Sequence, residues 1–266
     1  MSLVETLLAA WSVCAIGWWI FACWLVAAPN KRRDGLCRKQ DATLTVFKPI
    51  PPASSPAERA VLASAVASFL PQLGPRDEML IGVVESESAE WLPTFSAWRE
   101  KFSGVRLIVC QRPEPRQRAN PKNAWLEHLS AQARGELWLW SDADIVASAG
   151  GLDAMKQILT STAVGAVTSP YCVREIRGAP EALDALFVNA EFLPGALLLA
   201  RLGPVKFSFG AAVLFRAEEF RRRVSREYSR HSVPKRERCR VRAIRKCWRA
   251  QRLPQNRSRV RWRDGA

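Results

Sequence analysis

Hydrophobic positions fall into two regimes along the chain. Leu7–Ala28 is 22 residues without a charge, about 33 Å as a helix, which matches the hydrocarbon thickness of a bilayer. Beyond residue 42 the apolar residues come instead in short blocks. Thr43–Pro49 (TLTVFKP) is a β-branched run ending in proline, Glu78–Val84 (EMLIGVV) is a continuous apolar run of strand length, and Val105–Cys110 (VRLIVC) is a third. Glu136–Trp140 (ELWLW) and Gly165–Ser169 give a fourth and fifth strand. Between them Pro56–Phe69, Ala89–Lys101, Asn123–Ala133 and Leu152–Thr160 carry helical spacing. Strands alternating with helices predict βαβ units and a mostly parallel sheet, with continuous apolar runs where a strand is covered on both faces. The expected organisation is an anchor over 1–28, a basic linker over 29–42, an α/β domain over 43–220, and a tail over 221–266.

The anchor is enriched in Trp11, Trp18, Trp19 and Trp24, side chains suited to bilayer interfaces. Glu5 is the only charge before it, whereas Lys31, Arg32, Arg33, Arg38 and Lys39 follow. The excess of positive charge on that side places the N-terminus outside and the body in the cytoplasm, as in a bacterial inner-membrane protein. A cleaved signal peptide would want a basic start and a shorter apolar core. No later segment reads as a span. Leu193–Leu202 (LPGALLLARL) is apolar but short and contains Arg201, a length that suits a core helix or an interfacial one, with core packing the expectation.

Net charge changes the picture in one place only. The formal charge is +15, yet residues 1–220 hold 22 basic and 22 acidic groups, so the excess lies in residues 221–266, with 18 basic groups against Glu227, Glu237 and Asp264. Seven cysteines lie scattered without a CxxC pair, the pattern of reduced thiols and not of a disulfide framework. With only His128 and His231 present, a histidine-based zinc site is excluded. There is no GxGxxG after the first strand and no GxxxxGK[ST], so the dinucleotide-binding and P-loop readings lack their phosphate-binding loop.

Candidate chemistry gathers at Ser141-Asp142-Ala143-Asp144, immediately after the fourth strand, where open α/β sheets bind ligands. Two carboxylates at i and i+2 can converge on one hard divalent cation, Mg²⁺ or Mn²⁺, which takes one or two carboxylates plus phosphate oxygens. The plain alternative is that Asp142 caps a turn and Asp144 is solvated.

The neighbours of this motif occur as an ordered set: Lys48-Pro49 in VFKPI, Leu80–Val84 with acids behind it, and Asn120-Pro121-Lys122-Asn123 with Leu126. Gly135 through Ile145, VGAVTSPY at 164–171, and Leu202-Gly203 with FSFGAAV at 207–213 complete it. In that order they resemble the GT-A nucleotide-diphospho-sugar glycosyltransferases of the family 2 and 21 type. The likeness is to the ceramide glucosyltransferase-like group, which includes hopanoid-associated bacterial members, and it covers residues 43 to about 219. The resemblance implies a GT-A α/β fold with one N-terminal transmembrane helix. It implies transfer of a hexose from a UDP-sugar donor to a membrane lipid hydroxyl such as that of ceramide, inverting and assisted by Mg²⁺ or Mn²⁺. Lys48 and Pro49 would line the uridine pocket. Glu85 or Glu87 would stand at the first donor-binding acid, where the family has aspartate. Asn120 and Lys122 would lie beside the donor phosphates, Lys122 being equally readable as an exposed lysine. Asp142 and Asp144 would hold the metal and the donor. Phe207–Gly210 would form a strand and turn under the acceptor site, in a structural or a functional role.

An inverting transferase needs a general base for the acceptor hydroxyl. The family takes it from an acidic pair downstream of F-x-F-G-A and then adds a Q-x-x-R-W element. Here Glu218 and Glu219 come too early, Glu227 stands in an unrelated context, and Ser258 occupies the glutamine position before Arg261-Trp262. The catalytic base is therefore unassigned. Three readings of the arginine-rich tail stay open: a polybasic segment on anionic lipid headgroups, a nucleic-acid-binding tail, which the anchor and sparse aromatics disfavour so that no nucleic-acid partner is expected, and non-family sequence produced by a frameshift. The alternative function is a non-catalytic, membrane-tethered nucleotide-sugar binder or a degenerate product.

Overall fold

The computed structural model describes residues 2–27, 42–110, 121–161, 164–174, 176, 178–202, 208–222 and 261–262. Asn120, Phe207, the linker and nearly all of the tail lie outside the described residues. The chain begins with helix α1 (Leu3–Ala27) and continues with strand β1 (Leu44–Pro49), helix α2 (Pro56–Ala67), β2 (Glu78–Val84), α3 (Ser88–Lys101), β3 (Val105–Cys110), α4 (Pro121–Gln132), β4 (Leu137–Ser141) and α5 (Gly151–Ser161). There follow β5 (Ala166–Thr168), β6 (Cys172–Val173), α6 (Ala179–Leu186), a π-helical stretch (Phe187–Phe192), α7 (Leu193–Leu202) and β7 (Ala212–Arg216). A last two-residue strand, β8 (Arg261–Trp262), pairs parallel with β6.

The main sheet has the order β3-β2-β1-β4-β7-β5. β3, β2, β1 and β4 are parallel, and β7 enters antiparallel between β4 and β5. Every residue of β1, β2 and β4 is buried, which explains their mostly apolar sequence: parallel strands covered on both faces have no polar side to show, and the few polar residues sit at or near strand ends with partners. One face packs Val46, Met79, Ile81 and Leu139 against α2, α3 and α5 through Val66, Trp91 and Leu159. The other packs Phe47, Leu80 and Trp138 against Leu129 of α4 and Phe220 of the helical turn at 217–222. Trp138 lies edge-on to Phe47 at 5.4 Å and to Phe215 at 6.3 Å, so one indole joins β1, β4 and β7.

Local signals agree with these elements. Ser55 caps α2 by accepting from Glu58 N at 3.2 Å, Pro56 opens the helix, and Glu58 reaches back to Ser54 N at 2.7 Å. The amino end of the sheet is tied by two buried acids. Asp77 accepts from Leu44 N at 2.8 Å and pairs with Lys156 at 3.1 Å. Glu78 accepts from Thr45 Oγ1 at 2.8 Å and pairs with Arg106 at 3.1 Å.

Two expectations are corrected. The strand placed at Phe207–Gly210 starts later: Gly210 is a turn with φ +29° and the strand is Ala212–Arg216. Its antiparallel insertion left no periodic trace, because LFR and AVL read equally well in either direction. Second, Leu193–Leu202 is not a core helix standing alone. It closes one continuous helical run from Ala179, with only Ala185, Ala196 and Leu198 buried among its described side chains. Within that run Ala179–Ala200 is, like Leu3–Trp24 of α1, long and apolar enough to cross a membrane.

Gly135 sits where the α4–β4 connection crosses β1. Its amide donates to Thr45 Oγ1 at 2.8 Å, and a Cβ there would lie 2.6 Å from Thr45 N, a backbone atom. Gly135→Val is expected to cost about 2 kcal/mol or more through forced backbone displacement, read as a lowered thermal midpoint of the detergent-solubilised protein.

Candidate functional site

In the sheet order, β2 and β3 lie on one side of β1 and β4 on the other, so the winding reverses between β1 and β4. Such a reversal leaves a crevice at the carboxyl ends of the two strands, the usual ligand site of open α/β sheets. Lys48 and Pro49 end β1, Asp142 follows β4, and Glu85 and Glu87 follow β2 at the same edge.

Lys48 is fully buried, and it faces the underside of the motif, not an open pocket. Its Nζ donates to Ser141 Oγ at 3.0 Å, Asp142 O at 2.8 Å and Ile145 O at 3.0 Å, and lies 3.9 Å from the centre of the Phe69 ring. All three ammonium hydrogens thus have acceptors, which is what a buried lysine requires. The same loop is held by Asp142 N donating to Ala211 O at 2.9 Å and by Ala147 N donating to Ser68 Oγ at 2.8 Å. Pro49 is buried beside Lys48.

Above this strut the carboxylates are crowded. Asp142 Oδ1 forms an ion pair with Lys122, which α4 brings in from the neighbouring crossover. Burial, and after it the charge of Asp142, push the Asp144 carboxyl up to about 7. Burial pushes the Lys48 ammonium down to about 7, although Asp144 and Asp142 both oppose the shift. A buried carboxyl pushed toward its neutral form beside a second carboxylate is a place where added positive charge is favourable. Among the described residues no cluster of three or more His, Cys, Asp or Glu forms. A cation here would have two protein carboxylates, and its other ligands would be phosphate oxygens or water, as Mg²⁺ and Mn²⁺ commonly accept. In this sense the donor set fits a divalent ion, with Lys122 supplying the countercharge to Asp142.

Lys48, Lys122, Asp142 and Asp144 therefore form one cluster. Glu87 instead accepts from Ala53 N at 2.9 Å, tying the loop after β1 to the turn after β2, and Glu85 is exposed at the start of that turn. Asn120 lies outside the described residues. Sequence reasoning missed Ser141, Phe69 and the Ile145 carbonyl as partners of Lys48. No periodicity marks them, since two are backbone or small polar groups and Phe69 reads as ordinary core.

The sheet order, the switch-point crevice and the paired aspartates define the GT-A type of nucleotide-diphospho-sugar transferase fold. The mannosyltransferase PcManGT from Pyrobaculum calidifontis, solved with GDP-Man and Mn²⁺, is similar with a TM-score of 0.52 at 18% identity, over 82% of this chain and 56% of that one. S. aureus TarS 1-349 in complex with UDP-GlcNAc is similar with a TM-score of 0.51 at 12% identity, over 84% of this chain and 60% of that one. The chain thus spans less than two thirds of the length of these structures. A search of curated proteins gave no match. The model of Glycosyl transferase family 21 matches residues 7–223, and the chain belongs to that family.

Because Asp144 holds its proton more tightly folded than unfolded, its contribution to stability is full below its ordinary pKa and is lost as pH rises from about 4 through about 7. Lys48 acts in a separate window, above about 7, where its lowered pKa makes stability rise with pH. In metal-free buffer Asp144→Asn should flatten the fall in unfolding free energy between pH 5 and 7, by up to about 1.4 kcal/mol per pH unit at its steepest, read by denaturant titration at each pH.

Proposed function

We propose that the chain transfers a hexose from a UDP-sugar to a lipid hydroxyl at the cytoplasmic membrane face. The observation that carries this reading is the Lys48-pinned loop presenting Asp142 and Asp144 at the β1–β4 switch point. Family membership makes it a glycosyltransferase. The GDP-Man, UDP-GlcNAc and Mn²⁺ bound by the two similar structures support a nucleotide-sugar donor and a divalent cation. α1, with Glu5 ahead of its apolar stretch and a basic cluster behind, supports a tethered, N-out orientation in a bacterial inner membrane.

In this reading Asp142 and Asp144 hold Mg²⁺ or Mn²⁺, which when bound would stabilise charge on the departing diphosphate. Lys48 fixes the height of the loop, so that both carboxylates face the crevice without reorganisation when donor arrives. Lys122 is released from Asp142 toward the phosphates. The acceptor oxygen attacks the anomeric carbon as the bond to UDP breaks, giving inversion, and its proton passes to a general base that is unassigned among the described residues. Glu85 and Glu87 stand at the far side of the crevice, toward the nucleoside, and Asn120 belongs with Lys122 beside the phosphates.

The second reading, a donor binder without turnover, is favoured by one observation. Among the described residues after β7 the acids are Glu218, which is exposed, and Glu219, which is paired with Arg222. We read the arginine-rich tail as non-family sequence, a reading supported by the family match ending at residue 223. The other two frames of the coding DNA beyond codon 216 should then encode an acidic pair, a Q-x-x-R-W and further apolar spans; their absence would return the tail to the lipid-surface reading.

Incubation with a radiolabelled UDP-hexose, Mn²⁺ and membrane lipid should give glycolipid, and Asp142→Asn should lower the rate by about 100-fold or more. Mn²⁺-dependent UDP binding with no lipid product in either protein would establish the second reading.

A further inference from the structure

The run α6–π–α7 leaves the sheet from one edge and returns to the same edge. β5 ends at Thr168 opposite Val213 of β7, and Ala211 and Ala212 accept from Asp142 N at 2.9 Å and Ser169 N at 3.1 Å. Residues 169–211 are therefore an excursion that starts and ends beside the Asp142 loop. Its helix is fastened along its length. Asn189 pairs with both the amide and the carbonyl of Val173, at 2.9 and 2.7 Å, and Phe192 packs on Phe209 at 5.4 Å. The run also carries Leu183, Leu186, Phe187 and Leu199, each more than half exposed, with exposed Ile176 just before it. Leu183, Leu186 and Phe187 follow i, i+3, i+4 spacing, so they form one apolar stripe.

α7 packs against α1, the apolar helix that we read as the anchor. α7 continues α6 in one helical run, so the medium around α1 adjoins that run, and the bilayer is the occupant we assign to its stripe. Length alone would let Ala179–Ala200 span the membrane. Two features oppose a span. Glu191, exposed near the middle of the helix, would sit at the bilayer centre. The fastening at Val173 and Phe209 holds the middle of the helix to the protein body.

We infer that α6 and α7 lie flat in the membrane interface, with the Leu183–Phe187 stripe and Leu199 in the upper acyl region and Glu181, Asp184 and Glu191 reaching headgroup water. This rests on the anchoring of α1 proposed above and deepens it. It sets the bilayer surface beside the Asp142 loop, so that a lipid hydroxyl can reach the donor from the membrane without full extraction.

The test uses the full chain in vesicles of phosphatidylcholine and phosphatidylglycerol doped with photoreactive phosphatidylcholine. The diazirine sits either near the acyl carbonyl or at the acyl terminus, and adducts are mapped by peptide mass spectrometry. Labelling of 179–202 at Leu183, Leu186, Phe187 or Leu199 by the shallow probe only, with α1 labelled by both probes, is expected. Leu183→Glu with Phe187→Glu should remove the shallow adducts at those positions and spare those on α1. Labelling of 179–202 by the terminal probe, as strongly as α1, would mean a second span and overturn the inference. No adduct in 179–202 while α1 is labelled would also overturn it, whether water or a second copy covers the stripe. An unlabelled α1 would overturn the anchoring itself.

Discussion

A buried ammonium governs the arrangement of this molecule's working edge. Lys48 sits fully buried in the interior of the sheet, where a charge is tolerated only with a complete set of partners. It finds them in Ser141 and in the carbonyls of Asp142 and Ile145, with the Phe69 ring beneath and two carboxylates near. Those partners lie in the turn after β4, so satisfying the lysine fixes the turn. Replacing it by an apolar residue would strand two carbonyls away from water, and this makes the strut hard to substitute.

Both ends of the sheet carry acids, but they are treated differently. At the amino end Asp77 and Glu78 are each saturated by backbone amides and a basic partner, so they close the fold and offer nothing to a ligand. At the carboxyl end Asp142 has Lys122, while Asp144 is pushed toward its neutral form by burial and by Asp142. That unequal satisfaction separates a structural carboxylate from one available for binding, and residue type alone does not reveal it.

The crevice beside Asp142 and the α6–α7 excursion are joined by the same few residues. Ala211 and Ala212 take hydrogen bonds from the Asp142 loop and from Ser169, and they open β7, the strand to which the α6–α7 excursion returns. The geometry of the Asp142 crevice and the seat of the helix are thus set by one short backbone segment.

Much of the fold was legible in the sequence. Glu78–Val84 and Val105–Cys110 have the bounds read from their apolar runs; the first is buried throughout, as a parallel strand covered on both faces requires, and the second is the half-covered edge strand. The anchor-length helix and the position of Ser141–Asp144 at a strand end were equally legible, because length and local spacing decide them. The antiparallel entry of β7 was not, because strand direction depends on which edge is free once the others have paired. Nor was the inward turn of Lys48, which a lysine at a strand end does not announce. Sequence by itself determined which segments are buried and where two carboxylates stand together, through hydrophobic period and chain length. Only the tertiary structure decided that Lys48 supports the motif from below, that Glu87 serves a loop, and that the Leu183–Phe187 stripe is left uncovered. Partners for a buried charge, and cover for an apolar face, come from residues distant in sequence.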